Sequence, residues 1–207
     1  MDRLKKLILP QLFIIYTRYL IGFAFVFASI VKIQGKRFTS DSGADHPIDS
    51  AWHYFETMYA SGMYWQFIGM AQLVAGFLLM TQRYSRLGAI LFFPIIVNIF
   101  VITVSYSFKG TWVITGLMLI ANTLLLLWEW GQIKVLFNLP ATNAPTSNFE
   151  KLHVWEVTGL LLFLFTVSLK YVMTSGNMVV AAGICFLIGL GGMVWGLLVR
   201  RSMKLTP

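Results

Sequence analysis

The sequence is poor in charge and nearly free of cysteine. Only 12% of its 207 residues are charged, whereas a soluble domain carries about 25%. Cys185 is the single cysteine, so the chain cannot form an internal disulfide or a dithiol relay. The low charge argues against a soluble domain, and the single cysteine argues against redox chemistry through the protein's own thiols.

Motifs for catalysis and for cofactor binding are also missing. The chain has no phosphate-binding loop, dinucleotide fingerprint, metalloprotease histidine pair or nucleophile elbow. A membrane haem needs axial ligands, and His153 is the only histidine near a predicted spanning segment. We therefore do not expect a self-contained redox enzyme with its own haem, flavin or dithiol.

The chain is instead rich in apolar residues, which make up 57% of it. They form long unbroken runs, unlike the short alternating segments of barrel strands. A helix that crosses lipid needs about 20 such residues. The sequence therefore predicts an all-α membrane protein with six transmembrane helices, at approximately 11–34, 64–80, 87–106, 111–130, 155–172 and 179–199.

Basic residues in alternate connections predict the orientation. The net charge is +8, and most Lys and Arg residues precede the first span or follow the second, fourth and sixth. The positive-inside rule then places both termini in the cytoplasm and the 35–63 loop outside. We expect a multi-pass protein of the cell (inner) membrane, with the first apolar run retained as a span. No nucleic-acid partner is needed to explain these charges.

The first apolar run is the element around which the other helices are expected to pack. Its two basic residues, Arg18 and Lys32, lie roughly 21 Å apart along a helix. Gly22, Phe25 and Ser29 fall between them on the same stripe. Cations inside a membrane helix are costly, so they indicate either a buried ion pair or a site.

Two roles are open for each of these charges. Arg18 either pairs with Glu129 or Glu156, or donates to a lipophilic anion, a headgroup or a quinone oxygen. Lys32, with Lys170 as its counterpart near the outer leaflet, either snorkels to the interface or forms an electropositive mouth for a ligand.

Three amides extend the set of candidate site residues. Gln72, Asn98 and Asn122 lie near mid-membrane on different predicted spans, where hydrogen bonding between helices is the usual role. If their faces converge with Arg18, they line a polar cavity for a small lipophilic ligand. The predicted ligand-binding residues are therefore Arg18, Lys32, Gln72, Asn98 and Asn122.

The outer loop carries a second candidate constellation. Pro47 suits the first position of an amphipathic helix lying in the membrane interface. The aromatic anchors of this helix would be Trp52, Tyr54, Tyr64 and Trp65. Its other face holds four residues whose spacing suits either a metal or a solvated polar surface: His46, Asp49, His53 and Glu56. The two carboxylates are also available to Lys32 as counter-charges.

The order of these segments divides the chain into three parts. They are a four-span membrane domain at 1–134, a cytoplasmic linker at 135–152, and a two-helix hairpin with a basic tail at 153–207. A turn at 175–177 is expected to close the hairpin. The last span carries a seam of small residues suited to packing against another helix: Ala182, Cys185, Gly189, Gly192 and Gly196.

The first two spans resemble those of a known family. Arg18, followed by Gly22 and ahead of Lys32, is similar to the opening of DoxX-like membrane proteins. The stretch 69–89, with GMAQLVAGFLL, a following arginine and then LGA, is similar to that family's second helix and arginine-bearing turn. Over about residues 11–134 the resemblance implies a four-helix membrane bundle. Some members of the family are membrane subunits of quinone-linked sulfur oxidoreductases.

The resemblance and the polar stripe favour one function. We expect a subunit of an oxidoreductase, rather than a self-contained enzyme, that positions a quinone or similar lipophilic molecule for a redox partner. Arg18, Lys32 and Gln72 would be the donors, with Glu129 holding Arg18. The alternatives are a transporter or channel-like protein, and an assembly factor whose glycine seam around Gly192 docks another membrane protein.

These functions imply a short set of partners. Besides the lipid bilayer, we expect a redox or other membrane protein, and a second copy of the chain as a candidate. No tightly or covalently bound cofactor is expected, a quinone is the candidate ligand, and a metal is not favoured.

Overall fold

We describe the protein from a computed structural model, over residues 4–108, 110–141, 149–172 and 178–205. All regular secondary structure in these ranges is helical. The helices are α1 (Ile8–Ile33), α2 (Ala51–Ala60), α3 (Met63–Met80), α4 (Ser85–Ser105), α5 (Thr111–Trp128), α6 (Trp130–Ile133), α7 (His153–Val172) and α8 (Met178–Leu205). Short 3-10 turns lie at Leu4–Lys6 and Lys134–Phe137.

Five helices in the described ranges are long and apolar enough to cross a membrane. They are α1, α3, α4, α5 and the part of α8 from Val180 to Met203. The prediction of an all-α membrane protein is confirmed to that extent. The remaining predicted span, 155–172, corresponds to α7, whose described apolar part, His153–Leu169, is shorter. A sixth span therefore stays a prediction.

Helix α1 lies at the centre of the molecule, as its sequence predicts. Arg18, Gly22, Phe25, Ser29 and Lys32 are all buried, so the predicted stripe faces protein along the whole helix. One apolar cluster fills the space between this face and α3, α4 and α5. A second cluster lies between another face of α1 and α7. The four-helix packing of α1, α3, α4 and α5 therefore has α7 and α8 added on one side.

Two glycines allow α1 and α3 to pack closely. A Cβ atom on Gly76 would lie 2.8 Å from the carbonyl oxygen of Gly22, and one on Gly22 would lie 3.0 Å from that of Gly76. Lipid tails are as apolar as the core side chains, so membrane helices are held together by close packing more than by transfer from water. The small residues at this crossing are thus the reason that α3 is the main partner of α1.

The middle of the four-helix unit is filled by aromatic packing. The rings of Phe25 on α1 and Phe92 on α4 stack with their centroids 3.6 Å apart. Leu79 and Ala75 of α3 are fully buried beside them. This packed layer separates the Arg18 end of the α1 stripe from the Lys32 end.

The C-terminal helices pack on α1 through hydrogen bonds and small residues. The hydroxyl of Tyr19 donates to the carbonyl oxygen of Trp155 at 2.5 Å, and that of Tyr16 donates to Gly189 at 2.7 Å. A Cβ on Gly192 would lie 2.4 Å from the Thr158 hydroxyl oxygen. The α8 glycine seam is therefore used against α7 of the same chain, which removes the reason for assigning it to another protein. The predicted turn at 175–177 lies outside the described residues, as do 142–148 of the linker.

The outer loop differs from its prediction in two respects. Helix α2 begins at Ala51 and not near Pro47, because the Ser50 side chain caps it by accepting from the His53 N–H at 3.2 Å. Trp65 is 1% exposed and donates to the Lys36 carbonyl, so its prediction as an interfacial anchor is wrong. The α2 aromatics instead contact rings of the α4–α5 connection, including Tyr54 with Tyr106.

Candidate ligand-binding site

An interior cavity of about 190 Å³ lies at the end of the four-helix unit that is farther from Arg18. Its sides come from α1, α3, α4 and α5. Three phenylalanines line the end of the cavity that is farther from Arg18: Phe38 of the outer loop, Phe55 of α2 and Phe108 of the α4–α5 connection. The walls are almost entirely apolar and aromatic. Two predicted site residues, Lys32 of α1 and Gln72 of α3, also line it.

Lys32 brings a buried cation to this cavity. The residue is 8% exposed, and its Nζ donates to the carbonyl oxygen of Ala28 at 3.0 Å. The ammonium also lies over two aromatic rings, 4.7 Å from the centroid of Phe38 and 5.2 Å from that of Trp65. Within the described residues it has no carboxylate partner. The predicted snorkelling of Lys32 is therefore not observed.

Gln72 brings an unused hydrogen-bond acceptor to the same cavity. The residue is 2% exposed, and its Oε1 atom has no hydrogen-bond partner. Leaving a buried polar group unsatisfied costs about 1–3 kcal/mol. Gly69, one turn before Gln72, lets α3 approach the Lys32 side chain, because a Cβ there would lie 2.9 Å from the Lys32 Cβ. The same glycine-lined crossing thus places both polar groups along one cavity.

The chemistry of this cavity suits a flat molecule with oxygen substituents. An ammonium carries three N–H donors, of which the Ala28 carbonyl takes one. The remaining donors and the free Gln72 oxygen offer both a donor and an acceptor to a ligand. The aromatic walls favour a ring, since stacked and edge-on contacts between rings add to apolar burial.

Arg18 belongs to a different cluster, toward the N-terminal end of α1. Its Nη1 donates to Oε1 of Gln82 at 3.0 Å, and its Nη2 lies 2.9 Å from Oε1 of Glu129 and 2.6 Å from Oε1 of Glu150. Arg86 reaches the other oxygen of Glu129 at 3.2 Å. The predicted pairing of Arg18 with Glu129 is confirmed. The guanidinium joins α1 to the α3–α4 turn, the end of α5 and the segment before α7.

Gln82 and Glu150 are the members of this cluster that sequence reasoning missed. Gln82 has a positive φ of 59°, a strained conformation for a residue with a side chain. It both accepts from Arg18 and donates from Nε2 to the Ile15 carbonyl at 3.2 Å. The number of hydrogen-bond donors on Arg18 is the sequence feature that indicates further partners. A buried guanidinium has five N–H groups, and Glu129 alone cannot satisfy them.

A second cavity, of about 560 Å³, opens beside the Arg18 cluster. Its lining is highly charged, and both signs are present: besides Arg18, the cations are Arg83, Arg86 and Lys151, and the carboxylates are Glu129, Glu150 and Glu156. The buried charge of Arg18 is already balanced by two carboxylates. We therefore regard this cavity as a solvated mouth of the ion-pair cluster and not as the ligand site.

The five predicted ligand-binding residues do not form one site. Lys32 and Gln72 share the interior cavity, whereas Arg18 lies beyond the packed Phe25 layer. Asn122 is buried and donates to the Ala89 carbonyl at 3.1 Å, which is the interhelical role that its position favoured. Asn98 is exposed on the outer face of α4. The faces of these residues therefore do not converge on one polar cavity.

The predicted charge partners other than Glu129 have separate positions. Glu156 pairs with His153 at 2.9 Å in the first turn of α7. Glu156 also lines the cavity beside the Arg18 cluster. Lys170 lies near the end of α7, and its side chain is outside the described part of the structure.

The outer-loop residues are not assembled as metal ligands. Within the described ranges no three His, Cys, Asp or Glu side chains come close enough to hold a metal ion. His46 stacks on Trp52, and Glu56 forms a bidentate pair with Arg37, with contacts of 2.7–3.0 Å. The guanidinium of Arg37 holds the pKa of the Glu56 carboxyl below its ordinary value. Glu56 therefore fastens the loop to α2 and is not a counter-charge for Lys32.

The fold and the cavity together define a class of protein. It is an all-α membrane protein whose four-helix unit encloses an aromatic cavity with a buried lysine. Comparisons of the chain with family models, curated proteins and solved structures find no match. The likeness to DoxX-like proteins therefore stays a prediction from the sequence.

Proposed function

We propose that the chain is a DoxX-like membrane subunit without a cofactor of its own, which positions a quinone or similar lipophilic molecule for a redox partner. The head group of the ligand occupies the interior cavity. In this proposal the basic connections face the cytoplasm, so that the cavity lies toward the outer side of the membrane.

One observation carries the proposal: a buried ammonium and an unsatisfied amide oxygen line the same aromatic cavity. Both raise the free energy of the empty protein, because neither has the partners that water would supply. A quinone carbonyl accepts from Lys32, and the hydroxyl of the reduced form donates to Gln72. An ionisable residue inside a membrane protein is a functional-site candidate by default, and the Gln72 oxygen lacks the hydrogen bond that would give it a structural role.

The size of the cavity limits what enters it. At about 190 Å³ it is smaller than the 300–1,000 Å³ pockets that hold whole drug-sized ligands. It therefore suits a single ring with its substituents. A long apolar tail would lie outside the cavity, among the helices or in lipid.

Arg18 has a structural part in this proposal. Its guanidinium already contacts Gln82, Glu129 and Glu150, so it holds the cytoplasmic ends of the helices together. The Phe25–Phe92 stack between Arg18 and the cavity leaves the middle of the unit filled. The proposal accordingly includes no conducting path from one side to the other.

Native mass spectrometry of protein extracted gently from its own membrane tests the ligand. We expect a lipophilic molecule bound to the wild-type chain and lost in Lys32→Met, which keeps the length of the side chain and removes its charge. Lys134→Met is the matched control, because Lys134 lies in the turn after α6 and does not line the cavity. The control should retain the ligand.

The redox role is tested by what copurifies with the chain. A partner protein whose quinone-linked activity falls in Lys32→Met membranes, but not in Lys134→Met membranes, would support the proposal. A ligand that stays bound in full to Lys32→Met would contradict the assigned cavity. A wild-type protein with no bound lipophilic molecule, and with solute flux in reconstituted vesicles, would favour the transporter instead.

A further inference from the structure

The outer face of α4 carries a regular stripe that no part of the described chain covers. Leu91, Pro94, Asn98, Val101 and Ser105 are all exposed, and their spacing alternates between three and four residues. We call these five residues the outer stripe. Helix α4 packs against α3 and α5 with its opposite face, where Phe92 and Ile96 are buried. Three-four spacing is the pattern by which one helix packs along another at a small crossing angle.

Asn98 is the polar residue of the outer stripe that lacks a partner. It lies well inside the 21-residue α4, in the apolar part of a candidate span. Its side chain forms no hydrogen bond within the described residues, whereas the Ser105 hydroxyl already donates to the Val101 carbonyl at 2.8 Å. An amide has two donor protons and an acceptor oxygen, and hydrocarbon offers partners for none of them.

We propose that the outer stripe is the interface of a symmetric dimer of this chain. Two copies inserted with the same orientation are related by a two-fold axis along the membrane normal, and such an axis brings identical surfaces together. Their α4 helices are then parallel, and residues at equal depth face each other. Asn98 therefore meets Asn98 of the second copy. Because an amide is both donor and acceptor, the pair is self-complementary and satisfies both side chains.

The flanking residues of the stripe agree with this arrangement. Leu91 and Val101, 39% and 54% exposed in the single chain, lie on either side of Asn98 and would pack against their own copies. A single polar residue within an otherwise apolar seam is also the device by which paired helices fix their register. The dimer interface is separate from the proposed quinone site. Lys32 and Gln72 line the interior cavity, which lies on the other side of α4 from the outer stripe.

Disulfide cross-linking in native membranes tests the geometry, with Cys185→Ser as the background. Val101→Cys lies on the outer stripe. Val104→Cys is its matched control, because Val104 is also a valine, is similarly exposed at 47%, and lies beside the outer stripe, roughly 60° around the helix from Val101 and roughly 100° from Ser105 at 3.6 residues per turn. Packed helix axes lie about 8–10 Å apart, which brings facing stripe residues within the Cα separation of about 7 Å that a disulfide requires. We expect a covalent dimer for Val101→Cys and little or none for Val104→Cys.

Substitution of Asn98 tests the chemistry. Asn98→Leu should weaken the dimer about 5- to 30-fold in detergent or lipid nanodiscs, the range expected for one hydrogen-bonded polar pair between membrane helices. Asn98→Gln should retain it. The thermal unfolding of the monomer should be unchanged in both, since the side chain is exposed.

Three results would overturn the proposal. One is equal cross-linking of Val101→Cys and Val104→Cys, which would indicate random collision. Another is a cross-linked product whose mass is that of a different protein, which would assign the stripe to another partner. The third is a monomeric wild-type chain, or a dimer that Asn98→Leu leaves unchanged.

Discussion

Arg18 and Glu150 are far apart in the sequence, yet Nη2 of Arg18 lies 2.6 Å from Oε1 of Glu150. The other oxygen of Glu150 accepts from the indole nitrogen of Trp128 at 3.2 Å. Glu150 therefore connects the segment before α7 to both α1 and α5. Through this carboxylate the C-terminal pair of helices is fixed to the four-helix unit at its Arg18 end.

We expect Glu150→Gln to destabilise the protein. Arg18 is 3% exposed, and removing one partner of a buried ion pair is costly. Because Glu129 remains to balance the guanidinium, the loss should be about 1–3 kcal/mol, measured as a lower thermal unfolding temperature in detergent. Glu156→Gln is the control. Its partner His153 is highly exposed, so that loss should be about 0–1 kcal/mol. Equal effects from the two substitutions would contradict the connecting role of Glu150.

The α1 stripe was predictable because it follows from helical periodicity. Depth along the predicted spans limited the partners of Arg18 to Glu129 and Glu156, and the packing of the helices decides that Glu129 is the one it contacts. Gln82 and Glu150 lie in connections, where no periodic pattern gives the direction of a side chain. Their contacts with Arg18 depend on how the turns fold.

The direction of Asn98 could not be predicted for a different reason. Helix α4 is apolar around its whole circumference, so its sequence does not reveal which face is buried. In water a buried face is marked by hydrophobic residues, but in lipid the outer face is apolar as well. The direction of Gln72 was easier to predict, because Gly69 and Gly76 lie on the same side of α3 and mark that side as the closely packed one.

The crossing of α1 and α3 should be sensitive to a single added carbon. We expect Gly76→Ala to lower stability by about 1–3 kcal/mol, since overpacking forces the backbone to shift and the new Cβ would lie 2.8 Å from the Gly22 carbonyl oxygen. Gly191→Ala on α8 is the matched control, because a Cβ there meets nothing within 4 Å. Thermal unfolding in detergent measures both. A neutral Gly76→Ala would show that the helices are farther apart than described.

The outer loop should loosen at acidic pH. Arg37 lowers the pKa of Glu56 below its ordinary value of 4.5, so the folded carboxyl binds a proton more weakly than the unfolded one. The pair therefore contributes its full stability above about pH 4.5, and this contribution is lost as the pH falls through the lowered pKa. The backbone amide of Gly43 donates to the Glu56 carboxylate at 3.2 Å. The protection of this amide from hydrogen exchange therefore shows whether the Arg37–Glu56 pair is intact.

Hydrogen exchange at the Gly43 amide measures this loosening. After correction for the intrinsic pH dependence of exchange, protection should be constant near neutral pH and should fall in the acidic range. In Glu56→Gln the amide should be weakly protected at every pH, because the charged pair with Arg37 is absent. Protection in the wild-type chain that does not change with pH would mean that the pair does not hold the loop.

Gln72 offers a way to separate a structural role from a ligand-binding one. Its Oε1 atom has no partner, so replacing the side chain with leucine removes an unsatisfied group of similar size from the interior. We expect Gln72→Leu to raise the stability of the ligand-free protein by about 1 kcal/mol while reducing the amount of bound ligand seen by native mass spectrometry. Asn122→Leu is the control, because it breaks the existing bond to the Ala89 carbonyl outside the cavity. It should lower stability and leave the ligand bound. If Gln72→Leu instead destabilises the chain and keeps the ligand, Gln72 serves the packing of the helices and the cavity has another occupant.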